Sequence, residues 1–215
     1  VWQIIGANSR VPEQTLGDIE AQVVAVGTIT DRVSDVILPE HGEGLDVWAS
    51  EILGRSEELM RRSIRTVPNG LYSIEDVVDA RDVGVEDAEN DLVFRVSVEI
   101  SDEDLVVSYE GTSPQVELNV NSLETFTSAY TMYALRTFLC PGVRQNDGFT
   151  RPVEIVVPEG TLLNAVRPAA CFNRHMIGQR TCDLVSRALA PVLPERVHGV
   201  NGSAPGWVTI LTPLE

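Results

Sequence analysis

None of the 215 residues is lysine, and all 16 basic residues are arginine. The absence excludes Schiff-base catalysis by a lysine amine of this segment. It also excludes a phosphate-binding Gly-x-x-x-x-Gly-Lys-Ser/Thr loop, so any ATP the reaction needs is held by another polypeptide or by a lysine-free site. Cysteine is scarce and odd in number: Cys140, Cys171 and Cys182 fit no zinc spacing. They are expected as reduced thiols in a cytoplasmic protein, and without a neighbouring base they are poor nucleophiles. The three histidines, His41, His175 and His198, include no pair at i, i+3 or i, i+4, which removes a helical metal pair. No apolar run approaches the roughly 20 residues that span a bilayer, and no Gly-x-Ser-x-Gly nucleophile elbow occurs.

What is abundant is acid. Thirty-two Asp and Glu against 16 Arg leave a net charge of −16, a surface that repels phosphate backbones and anionic lipid. Nucleic acid and membranes are therefore not expected partners. Two readings of this composition stay open. One is adaptation to high salt, where carboxylates keep the surface hydrated and ions screen their repulsion. The other is the arginine-for-lysine bias of a GC-rich genome, which accounts for the arginines and not for the acid excess.

The run Val1-Trp2-Gln3-Ile4-Ile5 reads as a short strand already under way, so the chain is expected to continue from an upstream element. A polar Asn8-Ser9-Arg10-Val11-Pro12 turn follows. Thr15-Leu16-Gly17-Asp18 then suits a capped helix start, with Ile19, Val23, Val26, Val33 and Ile37 at helical spacing and a stop at Pro39 and Gly42. Asp46 reads as the cap of a second helix bearing Trp48, Ile52 and Ile64, which ends at the Pro68-Asn69-Gly70 turn. Residues 92 to 100 alternate with period two, and Leu105 to Tyr109 return after the polar loop Ser101–Asp104, a hairpin with one buried face. The acidic stretch Asp82 to Asp91 leads into it as a loop. A helix is predicted over Ser122 to Leu139, a strand over Val153 to Val157, and a last helix over Gly178 to Leu193. The order implies an α+β fold of long helices packed with a mainly antiparallel, hairpin-containing sheet. It divides into a helical segment, 1–80, continuing an upstream domain, and a mixed segment, 81–215, or forms one continuous part of a larger subunit.

Candidate chemistry is sparse. Arg174 and His175 follow the tight Pro168-Ala169-Ala170-Cys171 segment at a helix start, where they could bind an anion or move a proton; the competing reading is a cap and a surface pair. Asn8, Arg10 and Asp18 could form a buried ion-pair knot that holds the first turn. His41, in a Pro-Glu-His-Gly turn, and His198 read as solvated. The turn-rich segments Gly111–Gln115, Asn119–Asn121 and Gln145–Gly148 could line a pocket, or be ordinary loops.

In order along the chain, Ala7-Asn8-Ser9-Arg10 with Pro12, Gly17-Asp18 with Ala21-Gln22, Glu58–Arg61, Pro68–Tyr72, Gly111–Gln115, Asn119, Asn146-Asp147-Gly148, Pro158–Asn164, Pro168–Ala170 and Arg174-His175 resemble the hydantoinase B/oxoprolinase family. The likeness covers nearly the whole chain. It departs where the family carries an acidic-aromatic pair and this chain has Ser108-Tyr109-Glu110. The resemblance implies an ATP-dependent system of two subunit types. An A-type partner binds ATP and activates a lactam or carbonyl oxygen. A B-type subunit holds a divalent metal and completes hydrolysis of the activated cyclic amide, a small molecule of the hydantoin or 5-oxoproline type. Related subunits serve ATP-dependent ketone carboxylases, which is the alternative activity. A third possibility is a non-catalytic scaffold or subunit-contact region. By the same resemblance the metal ligands precede Val1, the metal and ATP are bound outside these residues, the assembly is a hetero-oligomer, and the isolated segment is expected to be inactive. The residues assigned to catalysis are Arg174 and His175, and those assigned to substrate contact or to a structural motif are Asn8, Arg10, Asp18, Gln22, Asn119 and Asn146.

Overall fold

The computed structural model describes residues 1–79 and 91–197. It falls into two units, Val1–Ile52 and Leu53–Glu215.

The first unit is helical. The opening run is not a strand but helix α1, Trp2–Ala7. A five-residue apolar run has no period that separates strand from helix, and two side chains settle the matter by capping the last carbonyls. Asn8 Nδ2 donates to Ile4 O at 2.8 Å and Ser9 Oγ to Ile5 O at 2.8 Å. Helix α2, Pro12–Arg32, starts earlier than Thr15 because Pro12 occupies its first turn, where a missing N–H costs nothing; no side-chain cap bond forms. Pro39 does not stop the helix either. The backbone widens to a π turn at Val33–Ile37 and restarts as α3, Leu38–His41, with Pro39 in its first turn. A single 3₁₀ turn, Gly42–Gly44, leads to α4, Leu45–Ile64, with Asp46 inside its first turn and not at the cap. No residue of α1, α2, the π turn or α3 is buried.

The second unit holds the core. A four-stranded sheet has the order β1-β2-β3-β4: β1 is Gly70–Val78, β2 Leu92–Ser101, β3 Asp104–Ser108 and β4 Val153–Val156. The β1/β2 and β2/β3 pairs are antiparallel and β3/β4 is parallel, so the α+β expectation holds. A parallel pair needs a long crossover, supplied here by α5, Glu124–Leu139, and the short α6, Asp147–Thr150. Helix α7, Arg174–Leu189, packs on β1, β2 and α5. It begins four residues before Gly178 and ends at Leu189.

Period two in β2 sends Phe94, Val96, Val98 and Ile100 to the covered face, against Leu184, Val185 and Leu189 of α7 and Leu135 of α5 in one buried cluster. Each such side chain contributes about 1.5–3 kcal/mol on burial. Gly178 sets how near α7 comes to α5: a Cβ there would lie 2.7 Å from Tyr130 Cε2 and 2.8 Å from Phe126 Cε1. The hairpin turn is held from outside. Asp102 has φ of 54°, its N–H donates to Asn69 Oδ1 at 2.9 Å, and Asn69 Nδ2 donates to Asp102 Oδ1 at 3.0 Å. Arginines of α4 reach the same turn. Arg61 bonds Asp104 at 2.6 Å and Glu57 at 2.9 Å, while Arg65 pairs with Glu103 and with Glu58.

Candidate functional site

Segments far apart in sequence meet in a platform of loops beside β2 and the start of α7. After β3 the chain turns at Gly111 and runs back along β2. Ser113 N donates to Val93 O at 2.8 Å, and Ser113 Oγ and Thr112 Oγ1 accept from Val93 N and Arg95 N at 2.9 and 3.2 Å. The segment thus flanks the first half of β2, which β3 leaves unpaired, through one backbone bond and two hydroxyls. The Pro158–Asn164 loop lies on this segment through Leu162 N to Ser113 O, 3.0 Å, and Gln115 N to Gly160 O, 2.9 Å. Gln115 and Val166 exchange two bonds, Nε2 to O at 3.1 Å and N to Oε1 at 2.7 Å.

Asn121 joins the pieces. It is fully buried. Its Oδ1 accepts from Val116 N at 2.9 Å, and its Nδ2 donates to Val116 O, Leu118 O and Ala170 O at 2.7, 2.8 and 3.1 Å. The neighbouring Asn119, singled out from sequence, receives Asn173 N at its carbonyl (2.9 Å) and Asn173 Nδ2 at Oδ1 (3.1 Å). The platform therefore brings Asn119 beside the residue that precedes Arg174 and His175. Arg174 is exposed, rests 5.4 Å from the centroid of the Phe126 ring and donates to Cys171 O at 3.2 Å. An aromatic face holds a guanidinium in one direction without neutralising it. With His175 exposed on the next residue, a guanidinium held on a ring and an imidazole stand together at the start of α7.

Behind the platform three buried hydroxyls find internal hydrogen-bond partners. Tyr109, the aromatic of the departing Ser108-Tyr109-Glu110 segment, is buried, with its OH 2.6 Å from Thr131 Oγ1. Thr131 donates to Thr127 O and Thr127 to Leu163 O, at 2.8 and 2.7 Å. Burial pushes the Tyr109 phenol far above its ordinary value, against the opposing hydrogen bond of Thr131, so it stays neutral and structural. Burial, with the Asp183 carboxylate adding to it, pushes the Cys182 thiol up to about 12, which removes it as a nucleophile.

Asn146 lies elsewhere. Its Nδ2 donates to the buried Ser56 Oγ of α4 at 2.9 Å. Gly148 lets the same turn press on α4, since a Cβ there would stand 2.0 Å from Leu53 O. Asn146 Oδ1 is shielded from solvent and has no partner. The turn borders a groove of about 580 Å³ between α5, α6 and β4.

Asn8, Arg10, Asp18 and Gln22 belong to the first unit and are all exposed. The ion-pair knot does not form: Asn8 caps α1, and Arg10 and Asp18 make no ion pair with each other. His41 stacks on Trp48 with ring centroids 4.5 Å apart, and His198 lies outside the described residues. Among the described residues no group of three or more His, Cys, Asp or Glu is placed to hold a metal ion, so they do not fit a metal centre. No helix among them is long and apolar enough to cross a membrane. Sequence reasoning includes Asn121 in the turn-rich segment Asn119–Asn121 and does not single it out. Nothing local distinguishes it from Asn119, because its partners are carbonyls of other segments.

The sequence model of the hydantoinase B/oxoprolinase family matches residues 1–213, and the chain belongs to that family. It is similar to the B component of a candidate D-/L-hydantoinase of Pseudomonas sp. (strain NS671), 34% identical over 211 residues, covering 94% of this chain and 36% of the relative. The structure resembles the crystal structure of the ATP-dependent caprolactamase from Pseudomonas jessenii with a TM-score of 0.73 at 26% identity, over 88% of this chain and 32% of that one. It shares the fold of a nucleotide-free acetone carboxylase, with a TM-score of 0.75 at 18% identity, over 90% of this chain and 27% of that one. The chain spans about a third of the length of the curated relatives it matches first.

Proposed function

We propose that this chain is part of the B-type subunit of an ATP-dependent cyclic amide hydrolase. Water cleaves the ring C–N bond of a hydantoin, 5-oxoproline or lactam while ATP becomes ADP and phosphate. The family match over residues 1–213 carries this reading, and the likeness to an ATP-dependent caprolactamase supports it. ATP sits on an A-type partner of the hetero-oligomer, in keeping with a chain that has no lysine for a phosphate loop. A divalent ion, where one takes part, is held by residues outside those described. In this reading the loop platform faces the substrate, Arg174 orients an anionic oxygen, and His175 moves a proton. Asn8, Arg10, Asp18 and Gln22 serve the helical unit, and the assembly works in the cytoplasm.

The test is reconstitution with the A-type partner, Mg-ATP and a divalent metal, following ADP release with hydantoin, 5-oxoproline or caprolactam. Ring opening coupled to ADP is expected, and Arg174→Ala and His175→Ala should lower kcat by at least tenfold with unchanged melting. Activity that requires a ketone and bicarbonate would replace the hydrolase with a carboxylase. No turnover of either class by the complete assembly would leave a scaffold role. Unchanged kcat in both variants would return the pair to the surface.

A further inference from the structure

We propose that helix α2 is a docking surface for a second copy of this chain, the two helices meeting antiparallel. The helix has 21 residues and none is buried. A helix in water draws most of its stability from packing an apolar face, and α2 has such a face without a cover. Ile19, Val23, Val26, Thr30, Val33 and Ile37 recur at alternating steps of four and three. That spacing keeps them in one stripe along α2 and the π turn, as in a seam between two helices. Ile19 and Val33 are half-buried, while Val23, Val26 and Ile37 are 58%, 65% and 37% exposed. The Thr30 hydroxyl is spent on Val26 O at 2.9 Å, so covering it leaves no unmet donor. With the exposed Ile29 and Val36 on its flank, the stripe presents on the order of 500 Å² of apolar surface, the size of the largest patch on a typical monomer. Two such stripes face to face remove about 1,000 Å² from water, the threshold for a specific interface.

Charge and symmetry favour a second copy as the occupant. The chain carries a net charge of −16, yet no residue from Ala21 to Thr30 is charged, so two copies can close on this stretch without like-charge repulsion. The stripe also reads the same from both ends. Antiparallel pairing about the level of residue 28 sets Ile19 against Ile37, Val23 against Val33 and Val26 against Thr30, a contact that closes on itself as twofold symmetry requires. Within the paired span no acid comes level with another: Glu20 meets the level of Val36, Asp31 that of Ala25 and Asp35 that of Ala21. Parallel pairing would set each of the three beside its own copy. The contact does not rest on the hydrolase reading, whose partner is a different chain.

The experiment is sedimentation equilibrium of the purified protein at micromolar concentration. A dimer is expected, and it should hold in high salt, where a contact made of ion pairs would weaken. Val26→Glu should weaken the dimer by at least about a hundredfold, because each dimer would bury two unpaired carboxylates. Val26 is exposed in the single copy, so the melting of the second unit should not change. Val24→Glu, off the stripe, should leave the dimer intact. On oxidation, Val23→Cys combined with Val33→Cys should form an interchain disulfide that Val23→Cys alone does not, since only the antiparallel sense brings those two positions within bonding reach. A monomer would overturn the proposal and leave the stripe to another chain. So would a dimer that dissociates in salt, one that Val26→Glu leaves intact or that Val24→Glu breaks equally, a disulfide in Val23→Cys alone, or none in the double variant. Since the readout is association and not turnover, its failure is distinguishable from failure of the hydrolase reading.

Discussion

Replacing Asn121 by alanine should loosen the whole loop platform. One side chain ties Val116, Leu118 and Ala170 through four hydrogen bonds in a fully buried position. A buried hydrogen bond is worth about 0.5–1.5 kcal/mol net, and an abandoned buried partner costs about 1–3 kcal/mol. Three carbonyls share one amide donor, so the contacts do not add in full, and the expected loss is about 3 kcal/mol. For a domain of this size that is a fall in Tm of about 6–12 °C, measurable by calorimetry and by the urea midpoint.

Asn121→Asp separates hydrogen bonding from volume. The carboxylate keeps the acceptor for Val116 N but faces three carbonyl oxygens, so its folded pKa rises above the unfolded value of about 3.9. A raised pKa means that the protonated form is the one the fold tolerates. Relative to the parent, the variant should be worst near pH 7 and recover as pH falls toward 4.5. If Asn121→Ala stays within 1 kcal/mol of the parent, or Asn121→Asp shows no recovery in acid, the account of the platform is wrong.

Two further outcomes test the packing and the charge network. Gly148→Ala sets a methyl 2.0 Å from a backbone oxygen of α4, which cannot swing aside as a side chain can. The urea midpoint should fall by the equivalent of about 1–3 kcal/mol, and an unchanged midpoint would show that α4 yields freely there. The hydrogen bond from Arg151 at 3.0 Å, followed by that from Arg61, holds the Glu57 carboxyl below its ordinary value. That stabilisation is present above the unfolded pKa and is lost as pH falls through the lower folded one. Arg151→Gln should therefore cost about 0.5 kcal/mol at pH 7, the measure of a partly exposed pair, and progressively less as the Glu57 carboxylate is protonated in acid. An equal cost at pH 7 and in acid would refute the linkage.

The hairpin was legible in the sequence because β2 has one covered face: Phe94, Val96, Val98 and Ile100 repeat at period two with nothing polar among them. Strand β1 was not, because its inward row runs Tyr72, Ile74, Asp76 and Val78, and an inward aspartate breaks the apolar alternation. Arg180 and Arg187 of α7 resolve it by pairing with Asp76, from partners about a hundred residues further on. The first helix was misread for want of period in a five-residue run, although the Asn8 and Ser9 that cap it stood next in line. The same limit applies to the platform. The motif segments Gly111–Gln115, Asn119, Pro158–Asn164 and Arg174-His175 could be picked out one by one. Their convergence depends on carbonyls, and a carbonyl has no letter in the sequence.

Gly178 ties the interior to the surface. The gap it leaves is filled by the rings of Phe126 and Tyr130, and the outer side of the Phe126 ring is the bed on which Arg174 lies. The direction of an exposed cation is thus written in a hydrogen atom one helical turn further on, under the surface. A methyl at that point would tilt a ring and turn a charge without touching the charge itself. The bearing of this surface charge therefore depends on the spacing of two helices as well as on its own neighbours.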